Sequence, residues 1–165
     1  MASGKVMIFM GGGYGKSAAA MGIAVKRASE NERIVVIQFL KGKGITDSEF
    51  AKRLEPEIKM FRFEKSEIDY KDRTPEEQKE AAFNIRNGLN FARKVLATGE
   101  CDLLILDEVL EVVNIGIISV DDLKELVESG NDTDVIITGS EMNVEVCSFA
   151  DKISEIGNMQ FKNFE

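Results

Sequence analysis

A chain of 165 residues with 44% apolar and 30% charged residues is large enough to build a core of its own, which excludes disordered, collagen-like and mucin-like classes. Its 29 acidic residues outnumber 21 basic ones for a net charge of −8, so neither nucleic acid nor an anionic membrane is an expected partner. Histidine is absent, which removes His-containing catalytic triads, His-ligated zinc and imidazole acid–base chemistry.

The elements follow in chain order. Residues 6–10 (VMIFM) read as a buried strand, too short to span a bilayer, and no signal-peptide pattern precedes them. A cytoplasmic protein is the expectation. A glycine-rich loop covers 11–15, and residues 16–28 read as a buried helix. Residues 34–40 (IVVIQFL) form a second buried strand and 58–63 (IKMFRF) a third, more exposed one. Thr74, Pro75 and Glu77 make a capping box with proline at the first helical position, opening a long helix that Gly99 ends. Residues 103–106 (LLIL) are a strand followed by Asp107 and Glu108. Ser119 caps a further helix, 134–138 (DVIIT) is a strand running into Gly139, 144–149 a short helix and 152–156 a last strand. Stretches 42–47 and 64–73 are the least structured, and 158–165 is a tail without pattern. Cys101 and Cys147 are far apart, have no CxxC spacing, and read as reduced thiols. Apolar strands alternating with amphipathic helices predict one α/β domain over 1–165, three-layered and RecA-like, with a mainly parallel sheet.

The sharpest chemical signal is GGGYGKS at 11–17, set between a buried strand and a helix. Glycines allow backbone N–H groups to converge on one point, and the helix N-terminus adds partial positive charge. Lys16 supplies a cation for phosphates and Ser17 a hydroxyl suited to Mg²⁺. The spacing is GxxxGKS, one residue shorter than the usual Walker A loop, because Met10 stands where the first glycine belongs. A second signal is Asp107-Glu108 after four apolar residues, similar to a Walker B strand end whose carboxylates hold Mg²⁺. A third, weaker one is the strand end Thr138-Gly139. Ligands of open α/β sheets sit at such carboxyl ends. Alone, the two Walker-like motifs leave a small ATPase or kinase open.

The ordered set resembles the P-loop-type ATP:corrinoid adenosyltransferases, also called cob(I)alamin or cob(I)yrinic acid a,c-diamide adenosyltransferases. The matching segments are the short loop at 11–17, VIQFLKG at 36–42, LILDE at 104–108, VIITG at 135–139 and ADKISEI at 150–156. The resemblance implies transfer of the adenosyl group of ATP to the Co(I) of a reduced corrinoid, with release of triphosphate. The cobalt is the nucleophile, so no protein base is needed. It further implies that Gly11, Gly12, Gly13, Tyr14, Gly15, Lys16, Ser17 and Ala18 surround the triphosphate, with Gln38, Lys41 and Thr138 lining the site. Ser17 and Glu108 would hold Mg²⁺ with support from Asp107. Tyr70 would be the aromatic under the corrin, with Phe63 behind it. Lys16, Lys41, Glu108 and Tyr70 thus carry the reaction in this reading. A homodimer is implied, as is a reductase partner that supplies Co(I).

The chain departs from the family pattern GNGKGKTT at Gly12, Tyr14 and Ala18, and from VIITGR at Ser140. It has no tryptophan for the corrin-facing segment. These departures keep a non-catalytic ATP-binding homologue as an alternative.

Overall fold

The computed structural model describes residues 4–12, 15–40, 46 and 48–162. Six segments become strands: β1 (Val6–Met10), β2 (Ile34–Gln38), β3 (Ile58–Arg62), β4 (Leu103–Asp107), β5 (Asp134–Gly139) and β6 (Lys152–Glu155). They form one sheet in the order β3-β2-β4-β5-β1-β6. All five ladders are parallel, so the sheet goes beyond the mainly parallel one expected.

Successive residues of a strand point to opposite faces, and the core divides accordingly. Val35, Ile37, Leu104, Leu106, Val135 and Ile137 join one cluster, packed by Ile85, Leu89 and Val95 of α3 (Pro75–Thr98) and Leu123 of the later helix. Ile34, Val36, Leu103, Ile105 and Ile136 join a second cluster with Ala20 and Ala24 of α1 (Lys16–Ser29). Helices therefore cover both faces, which explains why β2 is buried at all five positions.

The long helix α3 follows its local signals. Thr74 accepts the N–H of Glu77, the Glu77 side chain returns to the Thr74 N–H, and Gly99 closes the helix at φ 65°. The remaining helices are α2 (Glu49–Lys52), α4 (Val109–Asn114), α5 (Val120–Glu128) and α6 (Val144–Cys147). Neither α2 nor α4 is foreseen in the sequence reading. Helix α2 is one turn capped by Ser48, and α4 leaves β4 directly through Glu108 at φ 64°. A 3₁₀ turn, Tyr70–Asp72, lies inside the stretch read as least structured.

Several elements end earlier than read. Strand β2 stops at Gln38 because its partner β3 ends in register there, at Arg62; one further ladder bond runs from Phe39 N–H to Asp107 O. Strand β6 stops at Glu155 opposite Met10, and α6 stops at Cys147. Residues 157–162 contain neither helix nor strand. No helix among the described residues is long and apolar enough to cross a membrane.

A parallel sheet collects all its carboxyl ends on one edge. Met10 pairs with Gly139 and with Glu155, and Gln38 pairs with Asp107. The register therefore brings the glycine loop, Gln38, Asp107 and Thr138 to a single edge from four distant parts of the chain.

Candidate functional site

The loop after β1 is shaped by close approach. Gly11 has φ 151°, and a Cβ there would lie 1.9 Å from the carbonyl oxygen of Ile156. Only glycine lets β1 leave the sheet at this point, with its N–H bonded to Gly139 O at 3.2 Å. Gly15, at φ 117°, opens α1 without a side-chain cap, and the first turn of α1 holds no acid. An uncapped N-terminus of a 14-residue helix offers its N–H groups and its dipole to an anion. Gly12 and Ala18 are exposed at this end. Gly13, Tyr14 and Lys41 lie outside the described residues.

Lys16 and Ser17 turn from this helix start toward the ends of β4 and β5. Lys16 is buried, with Nζ 3.5 Å from Glu108 Oε1 and donating to Ser140 Oγ at 3.0 Å. Ser17 Oγ donates to Asp107 Oδ1 at 2.8 Å. Thr138, fully buried, donates its hydroxyl to the same Asp107 oxygen at 2.6 Å and accepts the Glu108 N–H at 2.9 Å. The three sequence signals thus meet in one hydrogen-bonded cluster. Asp107 and Glu108 diverge because Glu108 adopts the left-handed conformation that starts α4.

Gln38 sits at the same edge, buried, donating to Leu40 O at 3.2 Å and accepting from Thr46 Oγ1 at 2.8 Å. Its amide thereby folds the start of the following loop back onto β2.

A cleft of about 280 Å³ opens beside the cluster. Glu108, Glu111, Ile115 and Ser140 line one side; Ile68, Asp69, Tyr70 and Lys71 line the other, with Leu40 between. Tyr70 is therefore brought to the cavity lined by Glu108 and Ser140, the two residues that Lys16 contacts. Phe63 is not. It packs on Phe91 with ring centroids 5.6 Å apart and against Gly88 of α3, so it belongs to the helix interface. A larger hollow of about 530 Å³, around Arg33 and Glu57, lies at the opposite, amino-terminal edge of the strands. It is remote from all of this chemistry.

Two supports have no place in the sequence reading. Glu111 accepts the N–H of Ser140 at 2.9 Å and of Glu141 at 3.4 Å, holding the turn after β5 so that the Ser140 hydroxyl reaches Lys16. Its only sequence signal is a spacing of three from Glu108 on α4. Arg73 forms a buried pair with Glu64, 3.3 Å apart, behind the cleft wall. Nothing local marks it, because its partner is nine residues away in irregular chain.

The donor chemistry at the edge is hard oxygen and cation. Ser17, Asp107 and Glu108 offer the hydroxyl and carboxylates that suit Mg²⁺, which keeps several waters and needs few protein ligands. No cluster of three or more acid, cysteine or histidine side chains arranged to enclose a metal occurs among the described residues.

The structure of a KaiC-like protein from Pyrococcus horikoshii OT3 superimposes with a TM-score of 0.61 over 96% of this chain and 74% of its own, at 16% identity, so the two share an overall fold. The corrinoid adenosyltransferase of Escherichia coli K12 is 27% identical over 154 residues, covering 93% of this chain and 76% of its own. Corrinoid adenosyltransferase CobA of Salmonella typhimurium LT2 is 25% identical over 155 residues, with the same coverages. Residues 2–163 match the family described as ATP:corrinoid adenosyltransferase BtuR/CobO/CobP. That match spans nearly the whole chain, and the chain therefore belongs to the ATP:corrinoid adenosyltransferase family.

Proposed function

We propose that this chain transfers the 5′-deoxyadenosyl group of ATP to the Co(I) centre of a reduced corrinoid and releases inorganic triphosphate. The observation that carries the reading is the convergence of Lys16, Ser17, Asp107 and Thr138 on one edge, beside a cleft walled by Tyr70 and Ile68.

The reaction balances without a protein base. The Co(I) electron pair forms a bond to C5′ of the ribose, the C5′–O bond breaks, and its electron pair leaves on triphosphate. The protein's work is positioning and charge stabilisation. Backbone N–H groups from 11–18 and the α1 N-terminus hold the triphosphate. Lys16, freed from Glu108 and Ser140 when a stronger anion arrives, neutralises the leaving group together with Lys41. Ser17, Asp107 and Glu108 would hold Mg²⁺, which screens the triphosphate charge when bound. Gln38 and Thr138 keep the edge in shape. Tyr70 presents an aromatic face to the corrin. The same reading makes the protein a cytoplasmic homodimer supplied with Co(I) by a separate reductase.

A second reading is a nucleotide-binding homologue without transfer. It is favoured by Ser140, which occupies Lys16 where the family pattern has an arginine. One experiment separates the two. Purified protein is mixed anaerobically with chemically reduced cob(I)alamin, ATP and Mg²⁺. The corrinoid spectrum is followed, and triphosphate is assayed against orthophosphate. A light-sensitive adenosylcobalamin spectrum with stoichiometric triphosphate is the expected result. Lys16→Ala should lower turnover by at least about 100-fold, the scale for a group that stabilises leaving-group charge. ATP binding with no product from cobalamin, cobinamide or the cobyrinic diamide would establish the second reading. Orthophosphate released without a corrinoid would make the chain an ATPase.

A further inference from the structure

The stretch 64–73 between β3 and α3 is polar and contains only one 3₁₀ turn, yet it forms a whole wall of the cleft. Such a connection would ordinarily be mobile. Here it is tied at nearly every second residue. Glu64 Oε1 accepts the Ser66 N–H at 2.8 Å, and Ser66 Oγ accepts the Ile68 N–H at 3.2 Å. Arg73 Nε donates to Ile68 O at 2.8 Å, and Arg73 Nη1 lies 3.3 Å from Glu64 Oε1. Gln78 on α3 donates to Tyr70 O at 2.9 Å, and the Arg73 guanidinium stands 6.0 Å from the Tyr70 ring centroid.

The pair at the centre is dry. The side chains of Arg73 and Glu64 are only 4% and 6% exposed. Arg73 lines both the cleft and a second cavity of about 370 Å³ behind it, the latter also lined by Glu64, Phe63 and Glu77. Arg73 thus stands between two hollows, and its bonds add to the packing of Tyr70 against the core.

We infer that Arg73 is a positioning residue: by spanning Glu64 and the Ile68 carbonyl it holds Ile68 and Tyr70 at the distance from Glu108 and Ile115 that admits the corrinoid, and so sets corrinoid affinity while leaving ATP binding alone. This rests on the adenosyltransferase reading above. The chemistry requires arginine. A planar fork satisfies two acceptors at once, whereas a lysine ammonium supplies the charge but not that spacing.

The test uses Arg73→Lys and the double variant Arg73→Met/Glu64→Leu, which removes both charges together and so leaves no unpaired buried charge. The chain has two tyrosines and no tryptophan, so corrinoid binding is followed through tyrosine fluorescence, each variant compared with the wild-type chain. Hydroxocobalamin and diaquocobinamide are titrated against that fluorescence, Mg-ATP affinity is measured by equilibrium dialysis, and KM and kcat are measured with cob(I)alamin. Arg73→Lys should raise corrinoid Kd and KM about tenfold, with ATP affinity changed less than twofold. The double variant should fold and bind ATP yet show the same corrinoid defect. If corrinoid and ATP affinity fall together, or if neither moves, the positioning role is overturned while the transferase reading stands. If the wild-type chain binds ATP but neither corrinoid, the transferase reading itself fails and this inference goes with it.

Discussion

Ser17 Oγ lies 2.8 Å from Asp107 Oδ1, although ninety positions separate the two residues in the chain. The contact joins the start of α1 to the end of β4. It exists because β4 and β1 both flank β5 in one parallel sheet. Thr138 at the end of that shared neighbour completes it by donating to the same oxygen. A hydroxyl, a carboxylate and a second hydroxyl thereby meet at one sheet edge.

Thr138 is the member of this cluster that tests the geometry most directly. Thr138→Val keeps the volume but leaves the Glu108 N–H and one Asp107 oxygen without the hydroxyl they share. The expected loss is about 1–3 kcal/mol, the cost of leaving buried polar groups unsatisfied. Thr138→Ser retains the hydroxyl and should lose much less. Urea denaturation midpoints of the two variants check this. Equal loss in both would place the cost in packing rather than in the hydrogen bonds.

The glycines of the loop should divide sharply. A Cβ on Gly11 would sit 1.9 Å from a backbone oxygen of Ile156, whereas a Cβ on Gly12 meets nothing within 4 Å. Gly11→Ala should destabilise by about 3 kcal/mol through forced separation of β1 and the end of β6. Gly12→Ala should stay within about 0.5 kcal/mol of wild type. Thermal unfolding of both proteins decides the matter. A mild Gly11→Ala would mean that the chain after β6 yields easily.

The two thiols should also behave differently. Cys101 is buried, and burial first, then the neighbouring Asp102 charge, pushes its thiol up to about 12. Cys147 is only half-buried. At pH 8 a thiol-specific reagent should label Cys147 in the native protein and Cys101 only on unfolding. The sign of the pH dependence follows. The unfolded chain releases the Cys101 proton near the ordinary thiol value, while the folded chain keeps it to about 12. Between those values the folded state binds more protons, so this contribution to stability falls as pH rises. Cys101→Ala should flatten the decline in melting temperature between about pH 9 and 11. An unchanged slope would show that other groups dominate that limb.

Much of the fold is legible one segment at a time. Apolar runs mark β1, β2, β4 and β5, and Thr74 with Glu77 marks the start of α3 within a single turn. The phosphate-loop positions Gly11, Lys16 and Ser17, and the acids Asp107 and Glu108, stand out by composition and by their place at strand ends. Each signal spans a few residues, which is the range over which capping and strand alternation act. The short helices α2 and α4 escape notice because four to six residues carry too little periodicity to show.

What the sequence by itself determined, then, is the inventory of elements, the phosphate loop and the acids that answer it. Only the tertiary structure decided which of these groups touch. Lys16 meets Ser140 across 124 positions, Thr138 meets Asp107 across 31, and Arg73 closes on Glu64 inside a stretch that looks featureless when read as letters. Those pairings depend on strand order, on register and on the exclusion of water, none of which acts within a local window. The conserving physics is simple: hydrogen bonds and ion pairs between distant residues gain their strength only after the sheet has buried them.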